Sequence, residues 1–236
     1  MGTESNLNNP FPSKDEISKG YDKLPEELFM PKKFHKKCMK ILHKNIINSE
    51  IVADFGCGHG NLLELLTDSY KKKKLVACDL SPKLCENAKN KAPYADIRVA
   101  DLEDLPFDNN SIDCAFATEV LEHMETPVKA LKEIHRVLKP NSKLLISLPN
   151  KSWFRFDEYL QRREKFQPVD DKFYTVSEME AFLAEAGYKV MKVRGGENLY
   201  FGGGLPRLLE KIVLFMYPRL YRKMKRMIII AQVEKN

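Results

Sequence analysis

Residues 51–60 read IVADFGCGHG, an apolar run that leads into a turn with three glycines. The next six residues, NLLELL, have the leucine spacing of an amphipathic helix. Glycine is needed where the backbone approaches a ligand closely or adopts a positive φ. This stretch therefore predicts a strand, a turn and a helix, with the turn forming a binding floor at the carboxyl end of the strand.

The alternation of short apolar runs and amphipathic segments continues to residue 150 and is typical of repeated βα units. It predicts a doubly wound α/β fold with a mostly parallel sheet and helices on both faces. We expect strands over 51–55, 74–78, 97–100, 112–117 and 144–148, with helices after at least three of the first four. Two more strands are expected near 188–193 and 227–233.

Two helices carry end signals in the sequence. Thr126 is a good N-cap residue, Pro127 suits the first helical position, and Pro140-Asn141 is expected to stop this helix. Ser177 is expected to cap a second helix that runs to Glu185 and is closed by Gly187.

The chain divides into three parts by its patterning. Residues 1–15 are polar and aperiodic and predict a mobile tail, while 16–48 predict an N-terminal helical cap, helical from Ile17 to about Ile47. The main domain is expected over 49–236. Stretches at about 151–176 and 198–225 are too long for ordinary connections and predict insertions that form a substrate lid.

Composition excludes several protein classes. Hydrophobic residues make up 43% and charged residues 31% of the chain, which is ordinary for a folded globular protein. The five cysteines show neither zinc-ligand nor disulfide spacing, so we predict reduced thiols and a cytoplasmic protein. We find no signal peptide and no apolar run long enough to span a bilayer.

The net charge of +6 is concentrated near the carboxyl terminus. Residues 205–226 contain seven Lys and Arg side chains against one Glu, among many apolar residues. This composition fits a helix at a membrane interface, and it equally fits a segment whose apolar face caps the substrate pocket. Peripheral membrane contact is therefore one of two interpretations.

Two acids follow the next two predicted strands. Asp79 ends the second strand and Asp101, followed by Leu102, ends the third. A carboxylate at a strand tip can accept hydrogen bonds from both hydroxyls of a ribose, and a second carboxylate can accept a hydrogen bond from the amino group of a base. Glycine turn, acid and acid at three successive tips together indicate a nucleoside site.

These motifs resemble those of class I S-adenosylmethionine-dependent methyltransferases. The resemblance covers residues 48 to 150 and is greatest to the quinone-biosynthesis-like branch, methyltransferase type 11. It rests on DFGCGHG at 54–60, Asp79, Asp101-Leu102, PF and SID at 106–113, EVLEH at 119–123 and LKP at 138–140.

The resemblance implies a seven-stranded Rossmann-like sheet whose last strand is antiparallel, with S-adenosyl-L-methionine across the strand tips and S-adenosyl-L-homocysteine as product. Glycines 56, 58 and 60 would face the methionine part, Asp79 the ribose, and Asp101 with Leu102 the adenine. The full set implied to hold the cofactor is Asp54, Gly56, Cys57, Gly58, Gly60, Asp79, Leu80, Asp101, Leu102 and Glu119.

Methyl transfer needs a base only where the acceptor must lose a proton. His123 is the first candidate, because imidazole titrates near neutral pH, and Tyr21 resembles a tyrosine that covers the cofactor in related enzymes. Both residues could equally be structural. Glu119, Glu122 and His123 form a Glu-x-x-Glu-His pattern that binds a divalent ion in some methyltransferases, but no metal is part of the main prediction.

The expected partner is a small-molecule acceptor, for which a hydrophobic, quinone- or lipid-like molecule is one candidate. The alternatives are an RNA or protein methyltransferase, suggested by six lysines between 32 and 44, and a non-catalytic cofactor-binding scaffold. Nucleic acid is not expected, because the chain shows no RNA-binding module and no Asn/Asp-Pro-Pro-aromatic motif. A nicotinamide dehydrogenase is disfavoured by the G-x-G-x-G spacing.

Overall fold

The fold was examined in a computed structural model, which describes residues 12–153, 171–195 and 226–234. Seven strands form one sheet. They are β1 Ile51–Phe55, β2 Lys74–Asp79, β3 Asp96–Val99, β4 Ile112–Thr118, β5 Leu138–Pro149, β6 Tyr188–Gly195 and β7 Arg226–Val233.

The helices precede, join and cover these strands. They are α1 Lys14–Tyr21, α2 Lys32–Asn48, α3 Asn61–Ser69, α4 Pro82–Lys91, α5 Pro127–Val137 and α6 Val176–Glu185. Two short 3-10 turns lie at Glu26–Leu28 and Leu121–His123.

The strands lie in the order β3-β2-β1-β4-β5-β7-β6. The first five are parallel to their neighbours, and β7 is antiparallel to both β5 and β6. The order reverses between β1 and β4, so the loops after these two strands diverge and leave a crevice at their carboxyl ends. The predicted doubly wound, seven-stranded fold is confirmed.

A hydrophobic core covers each face of the sheet. One contains buried residues of α5 and α6 with one set of strand side chains, and the other contains those of α2, α3 and α4 with the alternate set. Phe55 and Ala53 of β1 belong to the first core and Val52 to the second. The central strands are apolar on both faces, as expected for parallel strands covered by helices.

No helix lies between β3 and β4, so helices follow three of the first four strands, as predicted. Three details differ from the sequence predictions. The helical cap is not continuous, because the stretch that holds Pro25 and Pro31 separates α1 from α2. The helix begun by Thr126 ends at Val137, before Pro140, and Pro140 lies within β5.

The cap of α6 is the third difference. Thr175, not Ser177, is its N-cap, since the Thr175 hydroxyl accepts the Glu178 N–H and the Glu178 carboxylate accepts the Thr175 N–H at 2.7 Å. This reciprocal capping box satisfies two backbone donors. Ser177 lies one residue inside the helix and cannot reach either.

Most of the two predicted insertions lies outside the described residues, as do the tail before residue 12 and the basic segment 205–225. Their roles as a mobile tail, a lid and a membrane-contacting segment stay predictions. Among the helices that the structure describes, none is both long and apolar enough to cross a bilayer.

Candidate active site at the strand tips

A cavity of about 390 Å³ lies at the carboxyl ends of the central strands. The strand tips and the loops after them form its floor, and α1, the turn over residues 24–30 and the start of α2 form its roof. Its lining includes the roof residues Ile17, Tyr21, Leu24, Leu28, Phe29, Met30 and His35 and the floor residues Asp54, Gly56, Cys57, Gly58, Asp79, Leu80, Asp101, Leu102, Glu119 and His123.

The glycine turn after β1 allows close approach of the chain. Gly56 has φ of +73°, and a Cβ there would lie 2.4 Å from Cγ2 of Val120. A Cβ on Gly58 would lie 3.2 Å from the ring of Phe29, which covers the turn. Any side chain at either position would be strained and would fill space beside the cavity.

Gly60 has a different position from the other two glycines. It does not line the cavity, and a Cβ there would lie 2.7 Å from Cα of Ala88 in α4. Gly60 also precedes α3 as its N-cap residue, with φ of +77°. Its role in the structure is to let α3 and α4 approach each other, which differs from the ligand contact that the resemblance implied.

Asp79 at the end of β2 is held by backbone donors. Its two carboxylate oxygens accept the N–H of Gly58 at 2.9 Å and of Ser81 at 3.0 Å. Burial raises the pKa of this carboxyl above its usual value, and the backbone hydrogen bonds oppose that rise. Since a carboxylate accepts about four hydrogen bonds in all, Asp79 keeps capacity for two hydroxyl groups.

Asp101 follows β3 on the same edge of the sheet. Its carboxylate accepts the N–H of Glu103 at 2.9 Å and an ion pair from Lys14 of α1, which also contacts Glu103 at 3.0 Å. Leu102, 3% exposed, supplies an apolar surface beside it. Acid and leucine thus lie one residue apart in the wall of the cavity.

Asp54 lies in β1 below the glycine turn and is 1% exposed. Burial raises the pKa of its carboxyl to about 8, and the nearby Asp79 charge adds to the rise. Its Oδ1 atom has no hydrogen-bond partner among the described residues. A cation that binds close to this carboxyl would stabilise its ionised form.

Glu119, just after β4, adopts the left-handed conformation with φ of +55°, which is uncommon for a residue other than glycine. Its carboxylate accepts the Ser147 hydroxyl at 3.0 Å and Nε of Arg226 at 2.9 Å. The Glu119 and Arg226 side chains are 10% and 9% exposed. They form a buried ion pair that lines the cavity where β4, β5 and β7 end.

The Glu-x-x-Glu-His pattern does not form a recognisable metal centre. In residues 12–153, 171–195 and 226–234, no group of three His, Cys, Asp or Glu side chains has a metal-binding arrangement. The Glu119 carboxylate is already neutralised by Arg226. Arg226 was counted in the sequence only as part of the basic segment, so its inward position was not predicted.

His123 and Tyr21 meet at the cavity. Tyr21 Oη lies 2.8 Å from Nδ1 of His123, and Oδ1 of Asp171 lies 2.6 Å from the same nitrogen. The Asp171 side chain is 2% exposed. Because an ionised carboxylate only accepts hydrogen bonds, Asp171 holds the imidazole proton on Nδ1 and leaves the lone pair on Nε2.

Two residues at or next to the cavity had no signal in the sequence. Asp171 lies within a predicted insertion, where no pattern distinguished it from its neighbours. His35 was one polar residue among the lysines of α2, yet it is buried at the cavity, and burial lowers the pKa of its imidazole to about 4 despite the opposing charge of Glu119. His35 is therefore neutral near pH 7.

Comparison with known proteins finds similarity to methyltransferases. A family model described as "Methyltransferase domain" matches residues 53–146. A probable S-adenosylmethionine-dependent methyltransferase of Mycolicibacterium smegmatis is 27% identical over 157 residues, which cover 66% of this chain and 58% of the relative. A malonyl-[acyl-carrier protein] O-methyltransferase of Hahella chejuensis is 37% identical over 98 residues, 41% of this chain and 35% of the relative.

The fold is similar to that of a solved geranyl diphosphate C-methyltransferase from Streptomyces coelicolor A3(2), crystallised with Mg²⁺, geranyl diphosphate and S-adenosyl-L-homocysteine. The TM-score is 0.65 at 13% identity, with 94% of this chain and 98% of that chain covered. At this identity the likeness shows the fold alone. The chain spans less than two thirds of the length of either curated methyltransferase named above.

Proposed function

We propose that this chain, a class I S-adenosylmethionine-dependent methyltransferase, transfers a methyl group to a small-molecule acceptor that is hydrophobic and quinone- or lipid-like. One observation carries the assignment of the cofactor site. The glycine turn, Asp79 and Asp101 with Leu102 follow three successive strands and line one cavity.

The residues present fit the cofactor. Gly56 and Gly58 leave room where a Cβ would stand, which suits the methionine part. Asp79 has acceptor capacity for the two ribose hydroxyls, and Asp101 with Leu102 offers an acceptor and an apolar surface to the adenine. Asp54, in its ionised form, would supply a buried negative charge for the methionine ammonium group. When bound, the cofactor supplies a methyl group on a sulfonium sulfur and leaves as S-adenosyl-L-homocysteine.

The chain's own contribution to catalysis is orientation, exclusion of water and removal of one proton. An acceptor hydroxyl beside His123 would give its proton to Nε2 while its oxygen forms the new bond to carbon. Asp171 favours this by holding the other imidazole proton on Nδ1 and by stabilising the imidazolium that results. Tyr21 packs on the imidazole, with ring centroids 5.0 Å apart, and limits its rotation.

The roof of the cavity supports a hydrophobic acceptor. Ile17, Leu24, Leu28, Phe29 and Met30 line it from above, and such a surface favours an apolar ring or chain over a strongly hydrated substrate. Arg226 does not present an open positive charge, because its guanidinium is paired with Glu119. A neutral acceptor with one acidic hydroxyl fits this combination.

The alternative acceptor is an RNA or a protein. The relatives include the malonyl-[acyl-carrier protein] O-methyltransferase above and a tRNA (carboxymethyluridine(34)-5-O)-methyltransferase of Mus musculus, 29% identical over 150 residues. Assays with methyl-labelled cofactor and, separately, small hydroxylated quinols, total RNA and acidic carrier proteins distinguish the classes. Label found in RNA or protein but not in the organic extract would replace the small-molecule proposal.

The first experiment is calorimetric titration with S-adenosylmethionine and S-adenosylhomocysteine. We expect saturable binding that Asp79→Ala weakens about a hundredfold, because two charge-assisted hydrogen bonds are lost. Gly58→Val should weaken it similarly through the blocked turn. Asp68→Asn, an exposed acid on α3, is the matched control and should bind normally. Absence of binding to the folded wild type would overturn the methyltransferase proposal, whereas binding without methyl transfer to any class of acceptor would favour the non-catalytic cofactor-binding scaffold.

A further inference from the structure

Helix α2 presents a row of cations to solvent. Its apolar face is buried in the core, while one stripe on the opposite side stays exposed. We call this the α2 stripe; it consists of Lys33, Lys36, Lys40, Lys44 and Ile47. Its members are three or four residues apart, so they lie on one helix face. At a rise of 1.5 Å per residue, the stripe is about 21 Å long.

The charges of the α2 stripe are not neutralised within the part of the chain that the structure describes. Its four lysines have no ion-pair partner there, whereas the adjacent Lys32 pairs with Glu64 at 2.6 Å. The sequence of α2 contains no acid, and Lys36 lies one turn from Lys40, as Lys40 does from Lys44. Such like-charged pairs destabilise a helix. The lysines are therefore not explained by the stability of α2.

Helix α1 shows the opposite arrangement. It has Asp15 and Glu16 in its first turn and Lys19 in its last, which matches the helix dipole. Helix α2 begins with Lys32 and Lys33, which oppose the dipole, and has no acid in the first turn. A function outside the helix would account for this cost.

The basic surface continues past the end of α2. Tyr70 Oη lies 2.8 Å from Nδ1 of His43, and Lys73 Nζ donates to the carbonyl of Ile47 at 2.6 Å. These contacts hold the turn with the exposed Lys71 and Lys72 against the carboxyl end of the α2 stripe. Glu50 and Asp68 are the exposed acids closest in sequence to this end.

Exposed apolar side chains flank the row of lysines. Ile47 is 50% exposed at one end, and Leu28, 46% exposed, precedes α2 at the other and also lines the cavity. Cations together with exposed aliphatic groups are typical of surfaces that lie on anionic bilayers. Surfaces that bind single-stranded RNA usually add arginine and stacking aromatics, and the α2 stripe has neither.

We propose that the α2 stripe docks this protein on the surface of an anionic lipid bilayer, with Leu28 and the mouth of the cavity toward the headgroups. The lysines supply electrostatic attraction, and Leu28 and Ile47 enter the interface. Docking does not depend on methyl transfer, so it can be tested apart from the proposed function. If the acceptor is hydrophobic, it would reach the cavity from the bilayer.

The test is flotation of the full chain with vesicles of phosphatidylcholine alone or mixed with phosphatidylserine. We expect binding to the mixed vesicles that falls as salt is raised. The triple variant Lys36→Glu, Lys40→Glu, Lys44→Glu should lose about a hundredfold in partitioning. Lys89→Glu, Lys189→Glu, Lys192→Glu changes the net charge equally at exposed sites elsewhere and should keep most of the binding.

The single variant Ile47→Ser should weaken binding several-fold and leave its salt dependence unchanged, because it removes only the apolar contribution. Far-UV circular dichroism of each variant reports whether it is folded, and glutamines replace the glutamates if the triple variant is not. Equal loss in both triple variants would reduce the effect to net charge and overturn the proposal. So would no vesicle binding by the wild type, no loss in the α2 triple variant, or tighter salt-dependent binding to mixed-sequence RNA than to vesicles.

Discussion

Two walls of the cavity differ in how far apart their residues lie along the chain. The wall proposed to hold the cofactor, called the cofactor wall, is formed by Gly56, Gly58, Asp79 and Asp101 and comes from one continuous βαβαβ stretch; the Gly58–Asp79 hydrogen bond joins residues 21 positions apart. The wall proposed to face the acceptor, called the acceptor wall, is formed by Tyr21, Glu119, His123 and Arg226, with Asp171 in contact with His123. Its contacts join residues 102, 48 and 107 positions apart.

These sequence separations show that the cofactor wall depends on local sequence and the acceptor wall on distant segments of the chain. Each residue of the cofactor wall is fixed by its place at the end of a strand, so the wall forms wherever the βα units form. The acceptor wall depends on the docking of α1, on the segment before α6 and on β7, the last strand. Substitutions in the acceptor wall are therefore expected to alter acceptor chemistry without changing cofactor binding.

Removal of the proposed base is the strongest test of whether the two walls are independent. His123→Gln should lower kcat by about 10²–10⁴ with an acceptor that must lose a proton, while cofactor affinity stays within about threefold, since the cofactor wall is intact. Steady-state kinetics and calorimetry on the same samples measure the two effects. The kcat deficit should shrink at high pH, where the acceptor hydroxyl ionises unaided.

Asp171→Asn tests the acceptor wall through the residue that contacts Nδ1 of His123. An amide can donate to Nδ1 and favour the other imidazole tautomer, so kcat should fall with little change in KM. Asp108→Asn removes an exposed acid elsewhere and is the control. If His123→Gln and Asp171→Asn abolish cofactor binding as well, the two walls are not independent and both residues are structural.

The cofactor wall was predictable because its signals are short-range. The glycine turn, Asp79 and Asp101 each follow an apolar run at a spacing that the sequence displays, and the fold follows from the same runs. Asp171 and Arg226 could not be found this way, because their roles depend on which distant residue each meets. The cap of α6 was ambiguous for another reason. Thr175 and Ser177 are each followed three residues later by Glu, so the sequence allows either of them to form a capping box.

A smaller effect is expected when the Glu119–Arg226 pair is broken. Arg226→Met leaves a carboxylate 10% exposed without its cation, and should lower the free energy of unfolding by about 3 kcal/mol. Glu119→Gln should cost less, because the Gln amide oxygen can still accept a hydrogen bond from the Ser147 hydroxyl.

The double variant Glu119→Gln, Arg226→Met completes a cycle measured by urea denaturation. We expect it to be more stable than the sum of the single effects predicts, since no lone charge remains. Strict additivity would mean that the ion pair contributes nothing beyond its packing. Cofactor affinity should again change little, in keeping with the separation of the two walls.

The last effect concerns Asp54, where the cofactor wall carries a pH dependence. The folded-state pKa of about 8 lies above the ordinary aspartate pKa of 3.8, so the folded protein binds the proton more tightly than the unfolded chain does. Stability from this group is complete below about pH 4 and is lost as the pH rises through about 8, with a slope of about 1 kcal/mol per pH unit. Asp54→Asn should flatten the dependence of the unfolding free energy on pH relative to the wild type.

Cofactor affinity should rise with pH over the same range, because only the ionised carboxylate attracts an ammonium group. A wild-type affinity that is flat between pH 6 and 9, equal to that of Asp54→Asn, would remove Asp54 from the cofactor wall.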